Sequence, residues 1–245
     1  MKEFNLLLPI AGKGNRFTEE GYTVPKPLIP VDDQKILVEK SLESVNIEKA
    51  NMIFIVRKEH IDEHQLDQRL KNTFKNNKVT IVSVDYDTEG ALSSCMLAEE
   101  HLDNEKPLVI FTPDCLFGPA FDVASMEGDV SGAVATFSSS SPAHSYVVLD
   151  EDGYVSKAAE KEVISRNAVG GLYYFREGSL FVRYAKEMID KKDKTKGEYY
   201  ICPVYNLAVR DGHKIAIDRN AWHYVLGTPE GLEKYQEIIR EENDD

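Results

Sequence analysis

Residues 6–31 read LLLPIAGKGNRFTEEGYTVPKPLIPV, and this stretch decides the fold of the chain. It opens with a short apolar run, residues 6–8, which is typical of a buried strand in an α/β sheet. Gly12 and Gly14 follow, and two glycines one residue apart let the backbone turn tightly and come close to a ligand, because neither has a Cβ. Successive backbone N–H groups in such a turn form a concavity that binds anions.

Three cationic side chains accompany this glycine loop. Lys13 and Arg16 belong to the loop itself, and Lys26 follows ten residues after Arg16, between Pro25 and Pro27. Each proline restricts its own backbone and that of the residue before it, so Lys26 is expected in a stiff, extended segment. A strand, a basic glycine-rich loop and a rigidly held lysine together predict a triphosphate site.

The pattern is specific only as a whole, because most G-x-G pairs are ordinary turns. It is not a dinucleotide fingerprint, since residue 17 is Phe and no third glycine follows at the required offset. It is not a Walker A loop, since no G-K-[ST] closes it. The complete run G-x-G-x-R-F followed by P-K-P-L resembles the N-terminal signature of the sugar-phosphate nucleotidyltransferases, the family that includes glucose-1-phosphate thymidylyltransferase. Asn15 stands where Thr or Ser is usual in that signature.

The bulk composition limits the class of protein. No apolar stretch is long enough to span a bilayer, and the first residues lack the apolar run and cleavage site of a signal peptide. The three cysteines, Cys95, Cys115 and Cys202, are widely spaced, which favours a reduced cytoplasmic protein without a disulfide framework or zinc site. The net charge of −13 argues against binding to nucleic acid, so an anionic substrate needs a local basic pocket. The opening loop is such a pocket.

Hydrophobic periodicity predicts strands that alternate with helices through the first half of the chain. Strands are expected at 51–56, 79–84 and 107–112, with helices at 36–45 and 60–75 and from residue 91. The second half predicts strands at 131–137, 167–175 and 214–218, a hairpin over 144–155, a helix at 179–192 and a helix at the C-terminal end. Such alternation implies a parallel sheet, whose ligands bind at the carboxyl ends of the strands.

We therefore expect an α/β chain with a Rossmann-like three-layer α/β/α architecture, a mostly parallel central sheet and a small β-rich acceptor-binding part. Its 245 residues suffice for one large domain. The resemblance, which covers nearly the whole chain, implies a single nucleotidyltransferase domain over residues 1–245. Residues 1–120 would form the nucleotide-binding half and residues 121–245 the acceptor-binding half.

The segment DYDTEGAL at 85–92 is, by itself, a strand–loop–helix junction in which Thr88 is a plausible helix cap. In the family, a glutamine-containing loop at this position holds the nucleobase, which implies that Asp85, Thr88 and Gly90 contact the base. Asp85 stands where those enzymes carry the glutamine. A carboxylate only accepts hydrogen bonds, and cytosine offers an amino donor where uracil and thymine offer an acceptor. This difference favours CTP over UTP and dTTP, with GTP also open.

Asp114 follows the predicted strand at 107–112. A lone aspartate after a strand is often only a turn residue, but a carboxylate facing a triphosphate loop also suits Mg²⁺. In the family an aspartate at this position is a metal ligand, which favours that role for Asp114. The run GTPEGL at 227–232 is another family signature, but Val225 stands where a second metal-binding aspartate is usual. We expect Asp218, from the preceding strand, to substitute as the second ligand.

The acceptor-binding residues rest on the resemblance. Tyr146 matches a family segment that touches the sugar, although Val147 replaces its glycine. Alone, the dipeptide of Glu160 and Lys161 would be a surface ion pair. Followed after a short spacer by NAVGGLYYF at 167–175, it resembles a family run in which Glu160 would bind acceptor hydroxyls and Lys161 the acceptor phosphate. Gly171 would allow close approach.

The chemistry that the resemblance implies is Mg²⁺-dependent nucleotidyl transfer, for surface polysaccharide or glycoconjugate precursors. A nucleoside triphosphate, CTP being favoured, is joined to a sugar phosphate or small phospho-alcohol, and pyrophosphate is released. The second kind of acceptor is that of phosphocholine cytidylyltransferase-like members. The catalytic residues would be Arg16 and Lys26, and the triphosphate would contact the loop formed by Ala11, Gly12, Lys13 and Gly14.

Two other classes stay open at this stage. A glycosyltransferase that uses a nucleotide-sugar donor requires a D-x-D metal motif, and Asp150-Glu151-Asp152, in the predicted hairpin turn, is such a triplet. A non-catalytic nucleotide-binding subunit would be favoured by loss of Lys26 or Asp114, and both are present. The expected partners are the two substrates, with neither nucleic acid nor membrane, and a homo-oligomer is left open.

Overall fold

A computed structural model describes residues 2–126 and 128–244, without the side chains of residues 243 and 244. The strands within these residues are β1 (Phe4–Pro9), β2 (Ala50–Arg57), β3 (Lys78–Val84), β4 (Leu108–Phe111), β5 (Cys115–Gly118), β6 (Gly132–Ser138), β7 (Ser145–Leu149), β8 (Val155–Glu160), β9 (Asn167–Phe175), β10 (Ile215–Arg219) and β11 (Trp222–Val225). The α-helices are α1 (Asn15–Glu19), α2 (Leu37–Ser41), α3 (Lys58–His64), α4 (Leu66–Thr73), α5 (Ala91–Met96), α6 (Glu99–Leu102), α7 (Gly178–Asp190), α8 (Val204–Arg210) and α9 (Pro229–Asp244).

The central sheet has the strand order β10-β6-β9-β4-β1-β2-β3. The ladders β1–β2, β1–β4, β2–β3 and β6–β10 are parallel, and β9 runs against both of its neighbours on this path, β4 and β6. The hairpin β7–β8 is attached to β9 through an antiparallel ladder. The predicted α/β fold with a mostly parallel sheet is therefore confirmed, and β4 is the middle strand of the seven.

The sheet is buried on both faces, and β1 shows this most directly. Leu7 belongs to the apolar cluster under α5, α7 and α8, whereas Leu6 and Leu8 belong to the cluster under α2 and α4. All three side chains are fully buried. Because side chains alternate along a strand, a continuous apolar run is what a strand covered on both faces requires.

Some elements differ from the prediction. The helix expected over 60–75 is two helices, α3 and α4, because Gln65 between them has a left-handed backbone with φ 52°. Strands β5 and β11 were not predicted, and they form a separate antiparallel ribbon with each other. The two strands lie more than a hundred residues apart along the chain, so neither has a nearby strand in the sequence that would indicate the pairing. Among the residues that the structure describes, no helix is both long and apolar enough to cross a bilayer.

Gly90 joins the two halves of the chain through a close backbone contact. Its φ is +117°, and a Cβ at this position would lie 2.5 Å from the Tyr199 carbonyl oxygen. The Tyr199 N–H donates to the Glu89 carbonyl at 2.8 Å, and the Leu92 N–H donates to the Tyr199 carbonyl at 3.1 Å. A side chain at residue 90 would therefore separate the start of α5 from the segment that follows α7.

We expect Gly90→Ala to destabilise the fold more than Gly21→Ala does. Gly21 also has a positive φ of +86°, but a Cβ there would have no neighbour within 4 Å. The Gly21 variant should lose only the backbone term, about 1 kcal/mol of unfolding free energy. The Gly90 variant adds a steric clash and should lose about 3 kcal/mol. Urea denaturation measures both losses, and equal losses would mean that the contact with Tyr199 is not a constraint.

Candidate active site

A cleft of about 660 Å³ opens at the carboxyl edge of the sheet. It lies among the segment after β4, the middle of β9, the hairpin β7–β8, residues 200 and 201, and the start of α9. This is the edge where ligands bind in open α/β sheets. The polar side chains that line the cleft are Arg16, Thr112, Asp114, Ser141, His144, Ser145, Glu160, Lys161, Tyr173, Tyr200, His223, Thr228, Glu230 and Lys234.

A smaller hollow of about 290 Å³ adjoins the cleft and contains the predicted phosphate loop. Arg16, Asp114 and Gly227 line both spaces, so the two are continuous. Gly14 has φ +70°, and a Cβ there would lie 3.0 Å from the Lys26 Cβ, so this turn needs a glycine. A Cβ on Gly12 would meet nothing within 4 Å, which leaves the backbone at that residue open to a ligand.

Lys26 and Asp114 meet across the hollow. The Lys26 Nζ lies 2.5 Å from the Asp114 Oδ1. The lysine side chain is 19% exposed and the aspartate side chain 55% exposed, so the carboxylate is the more accessible member of the pair. Lys26 and Asp114 lie 88 positions apart in the chain. The fold brings this predicted cation and anion together at the same hollow.

The backbone holds Asp114 firmly. The N–H groups of Leu226 and Gly227 both donate to the Asp114 carbonyl oxygen at 2.8 Å, and the Asp114 N–H donates to the Thr112 carbonyl at 2.7 Å. A Cβ on Gly227 would lie 2.7 Å from the Asp114 Cβ. Gly227, the first residue of the run GTPEGL at 227–232, therefore packs directly against Asp114. This contact explains why the run begins with a glycine in this chain.

The other two loop cations differ in how they are engaged. The Lys13 Nζ forms an ion pair with Asp87 at 2.6 Å, and Arg57 contacts the other oxygen of the same carboxylate at 3.0 Å. The Lys13 contact, followed by that of Arg57, lowers the pKa of Asp87. Arg57 also donates to the Ala11 carbonyl at 3.4 Å, so it joins the loop to the end of β2. Arg16 is exposed and makes no ion pair with any described residue.

The residues predicted to contact the base lie beside this loop rather than in the cleft. Asp85 is exposed and makes no hydrogen bond or ion pair in the described part of the chain. The Thr88 hydroxyl lies 2.6 Å from the Ser94 hydroxyl, at the start of α5. Gly90 packs against the backbone of Tyr199, so a glycine is required at this position whether or not a base lies against it.

Glu160 and Lys161 both line the cleft although they are consecutive. Successive side chains of a strand point to opposite faces, but Lys161 has a left-handed backbone with φ 53°, which redirects its side chain at the end of β8. The Lys161 Nζ lies 2.5 Å from the Tyr200 hydroxyl. Glu160 accepts a hydrogen bond from the Ser145 hydroxyl, and its burial raises its pKa.

Gly171 also lines the cleft, but its close contact is with the protein. Its φ is +77°, and a Cβ would lie 2.5 Å from the Thr112 Oγ1. The Thr112 N–H and hydroxyl both donate to the Gly171 carbonyl, at 2.9 and 3.1 Å. The glycine lets β9 approach the segment that carries Asp114.

The structure does not place Tyr146 in the site. Its side chain is completely buried, and its hydroxyl donates to the Ser141 carbonyl at 2.7 Å. It does not line the cleft, whereas its neighbours His144 and Ser145 do. The physical reason is strand alternation, since Ser145 faces the cleft and the next side chain points into the core. The prediction that Tyr146 contacts the acceptor is not supported by this placement.

Asp218 is not brought to Asp114. It lies in β10, which β6 and β9 separate from β4, the strand before Asp114, so the axes of β10 and β4 are about 14 Å apart in the plane of the sheet. Asp218 lines neither the cleft nor the hollow that Asp114 lines. One Mg²⁺ binds its oxygen ligands at about 2.1 Å and cannot reach both. The structure therefore does not support Asp218 as a second ligand beside Asp114.

Imidazole rings that the sequence did not single out form part of the cleft wall. His223 stacks on Phe137 with the ring centroids 3.7 Å apart and an interplanar angle of 4°. His144 meets the same phenylalanine edge to face at 5.1 Å. Burial lowers the pKa of His223 to about 4 and also lowers the pKa of His144. Both rings are therefore neutral near pH 7.

The sequence also gave no reason to select Arg57, Asp87 or Tyr200. Arg57 appeared only as the charged residue that ends a strand, and Asp87 as one of several polar residues in a junction. Their roles depend on the distance from Lys13 and from Ala11, which no local pattern contains. The role of Tyr200 depends on its contact with Lys161, which lies 39 positions away in the chain.

Comparisons with known proteins concern the family and the fold of the chain. A family model described as nucleotidyl transferase matches residues 7–242. No curated protein matches the chain.

Three solved structures share the fold. The nucleoside-diphosphate-sugar pyrophosphorylase from Vibrio cholerae RC9 has a TM-score of 0.80 at 21% identity, over 95% of this chain and 99% of that one. The inositol-1-phosphate CTP transferase from T. maritima has a TM-score of 0.73 at 17% identity, over 98% and 97%. A UDP-glucose pyrophosphorylase complexed with UDP-glucose has a TM-score of 0.75 at 16% identity, over 98% and 100%.

The partly buried His223 should make stability depend on pH. Its pKa falls from the ordinary 6.5 to about 4 on folding, so the unfolded state binds the proton first. Stability is therefore complete above pH 6.5 and falls as the pH drops toward 4, by up to about 3 kcal/mol from this residue. We expect His223→Phe, which keeps a flat ring against Phe137, to lose less stability than wild type between pH 7 and pH 4.5 in urea denaturation. An equal loss in both proteins would contradict the assignment.

Proposed function

This chain belongs to the nucleotidyl transferase family, whose members are enzymes, and we propose that it joins a nucleoside triphosphate to a small phosphorylated acceptor with release of pyrophosphate. The acceptor is a sugar phosphate or a small phospho-alcohol, and CTP is the favoured donor. The observation that carries the proposal is the pairing of Lys26 with Asp114 at the junction of the glycine-loop hollow and the cleft. A phosphate chain in the hollow and an acceptor in the cleft would meet at that pair.

The hollow supplies what a triphosphate requires. Arg16 is exposed and unpaired among the described residues, and the backbone at Gly12 is open. These groups, with Gly14 and Lys13, would hold the terminal phosphates. Lys13 would exchange part of its contact with Asp87 for a phosphate oxygen, since charge-assisted bonds to phosphate are strong. Lys26 pairs with Asp114, which lines both spaces, and it would stabilise charge on the α-phosphate and on the incoming acceptor.

Asp114 suits one Mg²⁺ ion. Mg²⁺ is usually bound by one or two carboxylates together with phosphate oxygens and water. The described residues contain no cluster of three or more His, Cys, Asp or Glu side chains that could hold a metal, so the site would depend on Asp114 and the substrate. When bound, the ion supplies positive charge that neutralises the phosphates. Asp114 itself has to exchange its contact with Lys26 for the ion, and its 55% exposed side chain permits that exchange.

The reaction then needs no general base. An oxygen of the acceptor phosphate is already an anion, and it attacks the α-phosphorus of the donor in line. The bond between that phosphorus and the bridging oxygen breaks, and the β- and γ-phosphates leave as pyrophosphate. Lys161, in the cleft, would hold the acceptor phosphate. Catalysis of this kind consists of positioning and charge neutralisation, which fixed cations provide.

The preference for CTP rests on the residues beside the loop, because the same fold serves proteins named for CTP transfer and for UDP-glucose. Asp85 has an exposed carboxylate with no partner in the described part of the chain. Such a group accepts a hydrogen bond from the amino group of cytosine and repels the carbonyl of uracil or thymine. Thr88, at the same junction, adds a hydroxyl.

A glycosyltransferase reading fits the geometry less well. The chain has two D-x-D triplets. In Asp85 to Asp87, the Asp87 carboxylate is paired with Lys13 and Arg57. The other, Asp150 to Asp152, lies in the turn between β7 and β8. One Asp150 carboxylate oxygen accepts hydrogen bonds from the N–H groups of Asp152 and Tyr154, at 3.0 and 2.9 Å. Neither triplet lines the cleft, and the Asp150 carboxylate shapes the turn.

The first test is pyrophosphate release in the presence of Mg²⁺. The four common ribonucleoside triphosphates and dTTP are each combined with a pool of sugar 1-phosphates and small phospho-alcohols. We expect release that requires both partners and is greatest with CTP. Lys26→Ala should reduce the rate by at least about a hundredfold, because it removes a charge at the reacting phosphates.

Lys35→Ala is the matched control. The Lys35 Nζ lies 2.5 Å from the Glu43 Oε1, and this ion pair does not line the cleft. This variant should release pyrophosphate at the wild-type rate. Release without an acceptor, or none with any combination, would overturn nucleotidyl transfer. A preference for UTP or dTTP would overturn only the proposed role of Asp85 and would leave nucleotidyl transfer standing.

Asp114→Asn should weaken the response to metal. The amide keeps the shape of the side chain but loses its charge, so the Mg²⁺ concentration for half-maximal rate should rise about tenfold or more. The variant also loses the ion pair with Lys26, so urea denaturation should accompany the titration to show that the fold is kept. An unchanged Mg²⁺ dependence would exclude Asp114 as the ligand.

A further inference from the structure

We propose that Asp87 competes with the leaving pyrophosphate for the ammonium group of Lys13 and thereby assists its release. The inference rests on the proposed function and deepens it, because it concerns how the phosphates leave that site after nucleotidyl transfer. Asp87 regulates phosphate affinity and is not a catalytic residue, since its carboxylate contacts a phosphate-binding lysine and not the substrate.

The first argument is that the Asp87 carboxylate is fixed by Arg57. The Arg57 Nη1 lies 3.0 Å from the Asp87 Oδ1, and the arginine side chain is only 12% exposed. Arg57 also pairs with Glu59 at 2.9 Å and donates to the Ala11 carbonyl at 3.4 Å. Because these contacts hold the planar guanidinium group, the carboxylate keeps its position whether or not Lys13 contacts it.

The second argument is that Lys13 can change partners. Its Nζ lies 2.6 Å from the Asp87 Oδ2, whereas Arg57 contacts the other oxygen of the carboxylate. The lysine side chain is 53% exposed, and a lysine ammonium group is a point charge on a flexible stem. Lys13 lines the hollow, but Asp87 lines neither the hollow nor the cleft. The ammonium group can therefore turn from a carboxylate outside the hollow to a phosphate inside it.

The third argument is the strength of the two alternative contacts of Lys13. An exposed ion pair, such as that with Asp87, changes an equilibrium constant by at most about fivefold. A charge-assisted hydrogen bond to phosphate is stronger, so pyrophosphate displaces the carboxylate when it binds. Asp87 remains nearby as a negative charge, which weakens the complex and takes back the lysine as pyrophosphate leaves. The carboxylate therefore lowers phosphate affinity without blocking the site.

The experiment measures the binding of inorganic pyrophosphate with Mg²⁺ by isothermal titration calorimetry, in the unmodified protein and in Asp87→Asn. The amide keeps the shape of the side chain and removes the charge that competes for Lys13. We expect the Kd of the variant to be at least about threefold lower than that of the unmodified protein. In the forward reaction, the inhibition constant of pyrophosphate should fall by the same factor.

Asp62→Asn is the matched control for Asp87→Asn. The Lys58 Nζ lies 2.8 Å from the Asp62 Oδ2, and both side chains are 57% exposed. The corresponding exposures are 53% for Lys13 and 58% for Asp87. Neither Lys58 nor Asp62 lines the hollow or the cleft. The control removes an equal charge from a similar ion pair, so its Kd for pyrophosphate should equal that of the unmodified protein.

Further variants show whether the effect of Asp87 depends on the lysine. Lys13→Gln should weaken pyrophosphate binding, because it removes a cation from the hollow. Adding Asp87→Asn to Lys13→Gln should give only a small gain in affinity, since no ammonium group is left to compete for. Asp87→Ser is a second substitution at the same residue and should tighten binding as Asp87→Asn does. Urea denaturation of each variant shows whether the fold is kept.

The outcomes separate this inference from the proposed function. Equal pyrophosphate affinity in the unmodified protein and in both Asp87 variants would overturn the competition and leave nucleotidyl transfer standing. Weaker binding in these variants would also overturn it, because the carboxylate would then position Lys13 for phosphate. The full gain in the Lys13→Gln background would overturn the role of the lysine. No binding of pyrophosphate to any of these proteins, together with no release of it from any pair of substrates, would overturn the proposed function and this inference together.

Discussion

The site depends on how Asp114 is held at the end of the central strand. Its carbonyl oxygen accepts two hydrogen bonds from the backbone of residues 226 and 227, its N–H donates to Thr112, and its carboxylate faces Lys26 at 2.5 Å. These contacts join three distant parts of the chain, around residues 26, 114 and 227, at one residue. A side chain at Gly227 would displace the aspartate, so this glycine and the aspartate constrain each other. The hollow and the cleft meet at this point because of that constraint.

Positive φ angles and glycines are used where chain segments approach each other closely. Gly14 lies against Lys26, Gly90 against Tyr199 and Gly171 against Thr112. In each case the atom that a Cβ would meet belongs to another segment of the chain, so these glycines are required by the packing of the protein itself. Gly12, whose Cβ would point into open space, is the exception. It is the loop position at which a phosphate could approach the backbone.

The charges of the site are arranged in a strongly acidic protein, with a net charge of −13. The cations Lys13, Lys26 and Lys161 each have a neutral or acidic partner, which holds the side chain in place. Arg16 has none among the described residues. An incoming phosphate chain would therefore meet one unpaired cation and three positioned ones, and binding would proceed by exchange of partners. The Glu160 carboxylate accepts a hydrogen bond from the Ser145 hydroxyl, and the positive charge of Lys161 stabilises its ionised form.

The sequence by itself determined the alternating α/β architecture, the glycine loop and the identity of the residues near it, because periodicity and glycine spacing are local properties of the chain. It did not determine which side chains share a cleft. Tyr146 matched a motif but points into the core, since a shift of one residue along a strand changes the face. Asp218 has suitable chemistry but lies three strands from Asp114. Only the tertiary structure placed Asp87 and Arg57 at the loop, His223 in the wall and Glu160 beside Ser145, because these relations are distances between residues that are apart in the chain.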